Sequence, residues 1–270
     1  MKMSSAPSGM VTPVVLTHLD RSALLLEQFR RVGSVSDAPG VPALVTLHLW
    51  GVPTRAVPSS LLRMGLHRRA LRRAGGPSFA KLLGTGDGRT FTVRDADPHH
   101  WGLLATWRDP ADAAAFERGA VARSWGRIAS ERLRVDLRPL SSRGEWAHRR
   151  PFGDTDPDAP AYAGPVAAVT RARIAPRQML RFWRSVPPVS ADLHRSPGLR
   201  LALGVGEAPV GLQGTFSLWE SGSALTEFAH RRPAHVEAVR RTAELGWYTE
   251  ELFARFAVLG IDGTFEGRSP

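Results

Sequence analysis

The sequence contains one pattern twice, and this duplication constrains the fold more than any other feature. Pro77 to Gly86 (PSFAKLLGTG) resembles Pro197 to Gly206 (PGLRLALGVG). An aromatic-bearing strand and an acidic, alanine-rich helix start follow each copy, at Leu103 to Phe116 in the first and Phe216 to Phe228 in the second. A repeated unit of this length predicts two halves that share one topology.

Hydrophobic periodicity and turn residues predict the same order of elements in both halves. In the first half, a strand over Val41 to Trp50 and a helix over Pro58 to Ala74 precede a glycine-rich hairpin, a second helix and a closing strand at Leu133 to Leu137. This βαββαβ order is the ferredoxin-like motif, whose antiparallel sheet carries helices on one face only. Because two such sheets bury their bare faces against each other, we predict an α+β fold of tandem ferredoxin-like units. These units would form a fused dimeric α+β barrel with cavities between sheet and helices.

The duplication divides the chain into four segments. Residues 1–40 form an N-terminal extension whose polar start lacks periodicity and is predicted to be partly disordered. Residues 41–140 form the first unit, and residues 164–270 form the second. Between them, residues 141–163 are rich in proline and aspartate and are interpreted as a linker.

Composition excludes several classes of chemistry. The 270 residues are 43% hydrophobic, which is enough for a sizeable core. No apolar run approaches the roughly 20 residues of a membrane helix, and no signal peptide is recognisable, so a cytoplasmic protein is expected. The absence of cysteine excludes disulfides, thiolate nucleophiles, iron–sulfur clusters and thiolate-ligated haem. Any bound iron would need His, Tyr, Met or a carboxylate as its ligand.

The net charge of +11 comes almost entirely from arginine. Its densest clusters are Arg68, Arg69, Arg72 and Arg73 on one predicted helix, and Arg231, Arg232, Arg240 and Arg241 on another. Neither cluster is interleaved with aromatic residues that could stack on bases, so no nucleic-acid partner is predicted. We interpret both as solvated helix faces, with contact to an anionic membrane surface as the functional alternative.

His235 is the leading candidate for a chemical role, because the aligned residue of the first copy is Arg123. If residues 234–242 are helical, His235 and Val239 lie on the same apolar stripe, so the imidazole points inward or into a cavity. A core histidine bonded to a carbonyl is the structural alternative. His230, beside the break at Pro233, is the second candidate. The remaining histidines show no metal-binding spacing.

Eight tryptophans against two tyrosines is an unusual composition. Five of them lie on or next to predicted elements, namely Trp101, Trp107, Trp183, Trp219 and Trp247. They are either core residues or the walls of a pocket for a large planar ligand. Both interpretations require these tryptophan side chains to be buried.

The C-terminal passage resembles the spheroidene monooxygenase family of haem-dependent carotenoid oxygenases. The resemblance is carried by Gly204 to Pro209 (GVGEAP), Phe216 to Trp219 (FSLW), Glu227 to Ala229 (EFA), His235, Trp247 with Tyr248, and Leu259 to Arg268 (LGIDGTFEGR). Looser matches extend it back to Val41. The sequence departs from the family pattern at His230, at Arg231 and Arg232, and in the spacing from Phe228 to His235.

The resemblance implies a monooxygenase that uses haem b to introduce hydroxyl and keto groups into a lipophilic polyene, with an electron donor such as ferredoxin. His235 would ligate the iron in the second unit, and His235 and Arg181 would be the catalytic residues. Arg171 and Arg181 would pair with the haem propionates, since guanidinium groups match carboxylates. Trp183, Trp219 and Phe228 would line the pocket.

Two other functions remain open at this stage. One is a haem enzyme of secondary metabolism that acts on a smaller substrate. The other is a haem-binding or lipophile-binding protein without catalytic activity, because a fold and a ligand site do not establish a reaction. Oligomeric state is not predicted, and peripheral contact with a membrane is an expectation only.

Overall fold

The structure is a computed structural model that describes residues 40–72, 76–89, 95–154, 162–174, 177, 190–207, 212–231 and 248–270. In the first half the elements are β1 (Leu44–Gly51), a 3-10 turn (Thr54–Ala56), α1 (Val57–Ala70), β2 (Phe79–Gly86), β3 (Ala96–Trp107), α2 (Pro110–Glu117), α3 (Ala120–Gly126) and β4 (Glu131–Gly144). In the second half they are β5 (Val166–Ile174), β6 (Leu199–Gly206), β7 (Leu212–Trp219), α4 (Gly222–Arg231) and β8 (Tyr248–Gly263).

The eight strands form a closed antiparallel barrel in the order β1-β3-β2-β6-β7-β5-β8-β4. Within each half, the strand order is fourth, first, third, second. Two seams join the halves: a short one between β2 and β6, and a long one between β4 and β8 that runs from Leu133↔Gly263 to Gly144↔Leu252. Closure removes free sheet edges, which would otherwise pair with other chains.

Apolar side chains from both halves pack together inside the barrel. The cluster includes Val45, Leu47 and Leu49 of β1, Val135 and Leu137 of β4, Val169 of β5, Phe216 of β7 and Phe256 of β8. Every residue of β1 is buried, because one face of this strand lies in the barrel and the other lies under helices. Because apolar side chains fill the interior, a ligand site is expected on the outer, helix-facing side of the sheet.

The predicted α+β barrel is confirmed as an eight-stranded antiparallel barrel with helices. The predicted tandem ferredoxin-like repeat stays a prediction, because the helix expected at residues 176–183 lies outside the described residues apart from residue 177. The predicted N-terminal extension also lies almost wholly outside them. None of the helices in the described ranges combines the length and the apolar character needed to cross a bilayer.

The segment predicted as a linker differs from expectation. Strand β4 continues to Gly144, and Trp146 and Phe152 are fully buried in the core cluster at the end of the barrel. The ring of Phe152 packs edge-on against Phe256 with centroids 4.8 Å apart. Proline and aspartate content indicated a loop here, but composition does not show whether an irregular segment packs against the core.

Candidate functional site

Strand alternation separates the side chains of β5 into two sets. Ala167 and Val169 belong to the cluster inside the barrel, whereas Val166 and Ala168 pack on the outer side with residues of α4. Because successive side chains point to opposite faces of a sheet, Arg171 lies on the inner side and Thr170 on the outer side. Any ligand between sheet and helices therefore contacts the set that contains Thr170.

The registers of the two halves identify equivalent positions on the outer face. Trp107 of β3 pairs with Leu44 of β1, and Trp219 of β7 pairs with Val166 of β5. Each tryptophan lies three positions before the first residue of a helix. Every second pair along the strands points to the outer face, and we call each such pair a level. The first half carries Thr46↔Ala105 at the first level, His48↔Leu103 at the second and Trp50↔Trp101 at the third. The second half carries Ala168↔Ser217 at the first level and Thr170↔Thr215 at the second. At the first of these levels both halves carry small side chains. At the second level the first half carries His48 and Leu103, where the second half carries the smaller Thr170 and Thr215.

In the first half, aromatic rings fill the layer between sheet and helices. His48 stacks on Trp50 with centroids 5.6 Å apart, and Trp50 stacks on Trp125 of α3 at 5.0 Å. Trp101 lies 6.3 Å from Trp125. Burial, together with the positive charge of Arg134, lowers the pKa of His48 to about 3, so the imidazole is neutral. This layer is a packed aromatic core.

In the second half, the described sheet residues at the first two outer levels have small side chains. Ala168, Thr170 and Thr215 are small and only partly buried, and the fourth outer residue is Ser217. An alanine, a serine and two threonines occupy the levels where the first half carries Thr46, Ala105, His48 and Leu103. The difference in side-chain volume predicts a space beside the sheet in this half.

Helix α4 closes one end of that space with apolar side chains. Ser221 precedes the helix and its hydroxyl accepts a hydrogen bond from the backbone N–H of Ala224, which satisfies one free donor of the first turn. Leu225 and Phe228, three residues apart on one helix face, pack on Trp219. The rings of Trp219 and Phe228 lie 5.5 Å apart at 31°. The site therefore has an aromatic wall.

The structure brings together Trp219 and Phe228, two of the residues predicted to line the pocket. Arg171 is not with them, since it lies on the inner face of the sheet. His235, Arg181 and Trp183 lie outside the described residues. His230 falls within α4, but its side chain is outside the described part of the chain.

Arg171 belongs to an ion-pair network at the end of the barrel. Its guanidinium, 3% exposed, donates to Glu250, and its second nitrogen lies 3.5 Å from Glu207. Burial alone would raise the pKa of Glu250, but hydrogen bonds from the backbone N–H of His148 and from Arg171 lower it to about 2. Lys81 and the indole N–H of Trp146 each approach Glu207 at 2.5 Å. Glu250 and Glu207 thus pair with Arg171 on the inner side of the sheet, and the predicted pairing of Arg171 with a haem propionate stays a prediction.

One group of potential metal ligands occurs among the described residues. Oxygen or nitrogen atoms of Glu145, His148 and Glu250 lie within 4.8 Å of one another. Glu250 is bound by Arg171, and the other two side chains are exposed. The adjacent guanidinium opposes a second cation at Glu250, so this group is a poor metal site.

The chain is similar to three curated proteins named spheroidene monooxygenase. It is 36% identical over 218 residues to the protein of Rhodobacter capsulatus, covering 80% of this chain and 90% of that protein. It is 40% identical over 195 residues to that of Rubrivivax gelatinosus, covering 72% and 73%. For Cereibacter sphaeroides the identity is 34% over 194 residues, covering 71% and 59%. No family model matches the chain.

Solved structures share the architecture at low sequence identity. An aldoxime dehydratase in complex with butyraldoxime superposes with a TM-score of 0.56 at 12% identity, covering 84% of this chain and 82% of that one. A second aldoxime dehydratase structure gives a TM-score of 0.54 at 12% identity, covering 80% of each chain. These likenesses establish a common α+β barrel fold.

Proposed function

The chain belongs to the spheroidene monooxygenase family and is an oxidoreductase, and we propose that it is a haem-dependent monooxygenase of lipophilic polyenes. Its products would carry new hydroxyl or keto groups. The names of the three relatives support the oxygenase class and the polyene substrate. Support for a cofactor site comes from the contrast between the two halves of the barrel.

The observation that carries the proposal is the small-residue face of the second half. A planar macrocycle needs a wide, flat space with mainly apolar walls. Ala168 and Thr170 are small side chains on this face of the sheet, and Phe228, packed on Trp219, adds an apolar side chain beside them. In the first half, stacked rings of Trp50 and Trp125 occupy the corresponding layer. The small outer residues of the second half therefore support a haem site in this half, whereas aromatic rings occupy the corresponding layer of the first half.

His235 is the proposed iron ligand. The chain has no cysteine, so a thiolate cannot fill this role, and His235 follows the last residue of α4 by four positions. Arg181 is the proposed partner of a propionate, and Trp183 is a proposed wall residue. Arg171 is not included, because Glu250 and Glu207 already bind it. We also infer that the halves are tandem ferredoxin-like units, which their matching strand orders support.

When bound, haem supplies activation of dioxygen or peroxide for insertion of oxygen into a C–H bond. The chain's own residues position the substrate and exclude water. Leu225 and Phe228, packed on the fully buried Trp219, supply apolar side chains, which favour an apolar substrate and disfavour water near the reacting carbon. With dioxygen, one oxygen atom enters the substrate and the other leaves as water, which consumes two electrons and two protons. A donor such as ferredoxin is the proposed source of these electrons.

Co-expression with the genes for an acyclic carotenoid tests the reaction. Wild-type protein should convert the pigment to more polar hydroxy or keto products, resolved by chromatography and mass spectrometry. His235→Ala should abolish the conversion, while Arg123→Ala, which changes the aligned residue of the first half, should retain it. Unchanged pigment with haem bound would reject the polyene substrate and favour a smaller one. Conversion by His235→Ala would reject the assigned ligand.

A further inference from the structure

Helix α1 exposes apolar side chains to an extent that ordinary surface helices do not. Leu61, Leu62 and Leu66 are 59%, 62% and 61% exposed, and they are the exposed large hydrophobic residues of the described chain. The opposite side of the helix faces the protein, since Ser60 is fully buried and Leu71, just beyond the helix, is also buried. Three neighbouring leucines on the outer side of one helix form a contiguous apolar patch, which marks an interaction surface.

The same helix face is basic. Arg68, Arg69 and Arg72 are exposed at its C-terminal end. Arg68 and Arg69 each follow an exposed leucine by seven residues, which places them within about 20° of Leu61 and Leu62 on the helix circumference. We call Leu61, Leu62, Leu66, Arg68, Arg69 and Arg72 the leucine–arginine face.

The sequence around helix α1 contains no acidic residue. From residue 38 to residue 86 the chain has seven basic residues and no acidic one. Arg68 donates to the backbone carbonyl of Glu207 at 2.9 Å, and none of the three arginines forms an ion pair within the described ranges. Basic residues in a last turn also stabilise a helix through its dipole. That effect accounts for arginines but not for exposed leucines.

We propose that the leucine–arginine face docks to an anionic membrane surface. Leucine side chains would enter the boundary between headgroups and acyl chains, as the apolar face of an interfacial helix does. The arginines would bind lipid phosphates, since guanidinium groups match phosphate oxygens and their aliphatic stems reach past the apolar layer. Docking of this kind requires neither haem nor substrate, so it stands apart from the proposed reaction.

Charge complementarity favours a membrane over two other occupants. A second copy in a two-fold contact would place like-charged arginine clusters close together, which is unfavourable. Residues 1–39 carry four basic and three acidic residues, so they offer no excess of negative charge. An anionic bilayer supplies both negative charge and an apolar layer.

Vesicle binding by the 270-residue protein tests the role of the arginines in the leucine–arginine face. The protein should float with phosphatidylcholine vesicles that contain phosphatidylglycerol, should bind pure phosphatidylcholine weakly, and should be released by high salt. Arg69→Gln/Arg72→Gln should weaken binding about 5-fold per arginine. The matched control is Arg123→Gln/Arg127→Gln, which removes two exposed arginines of the α3 region and should bind as wild type does. Equal losses in both variants would mean that net charge alone acts, and would overturn the proposal.

The double variant Leu62→Ser/Leu66→Ser tests whether the exposed leucines contribute to membrane binding. This variant should bind anionic vesicles at least as weakly as the arginine variant, while its unfolding temperature in the absence of lipid should match wild type. A clear fall in unfolding temperature would indicate that another part of the chain covers the leucines. A change from dimer to monomer in light scattering would indicate a second copy. Either result, or unimpaired vesicle binding, would overturn the proposal.

Discussion

His48 and Thr170 occupy equivalent positions in the two halves, and their difference in size decides what each layer can hold. His48 fills its position as a neutral ring stacked on Trp50. Thr170 is a smaller side chain and is only partly buried. A duplicated fold can thus keep one layer as core and adapt the other to a ligand through a few changes in side-chain volume.

Thr170→Trp should therefore reduce haem affinity. The indole would occupy the proposed haem space, and overpacking of a fitted site costs about 1–3 kcal/mol, or roughly 5- to 150-fold in affinity. Arg173→Trp is the control, because Arg173 is exposed on the same strand. Absorbance titration with haem measures both variants, and thermal unfolding checks that they fold. Equal affinity of Thr170→Trp and wild type would place the haem elsewhere.

Arg171 illustrates why residue roles were harder to predict than residue order. On a half-buried strand, alternating polar residues reveal which side chains point inward. Strand β5 is apolar on both faces over Val166 to Val169, so its sequence carries little such signal. The partners Glu207 and Glu250 were also not foreseen, because they reach Arg171 only when β5, β6 and β8 meet at the barrel end.

At the scale of elements, the order of strands and helices predicted for the first half agrees with the structure, and the strand lengths differ most at the seam between β4 and β8. The closing strand predicted at Leu133 to Leu137 extends to Glu131–Gly144. The last strand of the second half, which the sequence pattern places at Phe253 to Leu259, extends to Tyr248–Gly263. These two strands pair with each other across the halves. Their length depends on long-range pairing, which a local pattern does not contain. Helix α2, in contrast, begins at Pro110 after Asp109, as its local signals predict.

A turn after β8 is held to the barrel by charged groups. One oxygen of Glu131 accepts hydrogen bonds from the Thr264 hydroxyl and the Gly267 backbone N–H, both at 2.7 Å, and the other lies 3.5 Å from His100. Nδ1 of His100 lies 2.5 Å from Asp97. The hydrogen bond to Asp97 raises the pKa of His100 despite partial burial of the ring. Protonated His100 thus links two carboxylates.

His100→Gln should lower stability in a pH-dependent way. Because the folded pKa is raised, the contribution of His100 is fully present below its unfolded value of about 6.5 and is lost as pH rises through the folded value. Loss of the charged bridge should cost about 1–2 kcal/mol near pH 5.5 and much less at pH 9. Denaturant unfolding of both proteins at the two pH values measures this. A pH-independent difference would show that charge is not involved.

At the scale of the whole molecule, one closed barrel serves two different outer layers. Its interior is packed by residues of both halves, so it forms a common core rather than a channel. The first half adds an aromatic layer, and the second adds the proposed haem site. The repeated sequence pattern predicts that the two halves resemble each other. The difference in side-chain volume between His48 and Thr170 depends on strand register, which the sequence pattern does not contain.

Haem titration of the purified protein tests the central claim most directly. We predict one haem per chain, with an absorption spectrum of histidine rather than thiolate ligation. His235→Ala should lose this stoichiometric binding, and Arg123→Ala should retain it. A wild-type protein that takes up no haem would contradict the account, as would loss of haem in Arg123→Ala with retention in His235→Ala.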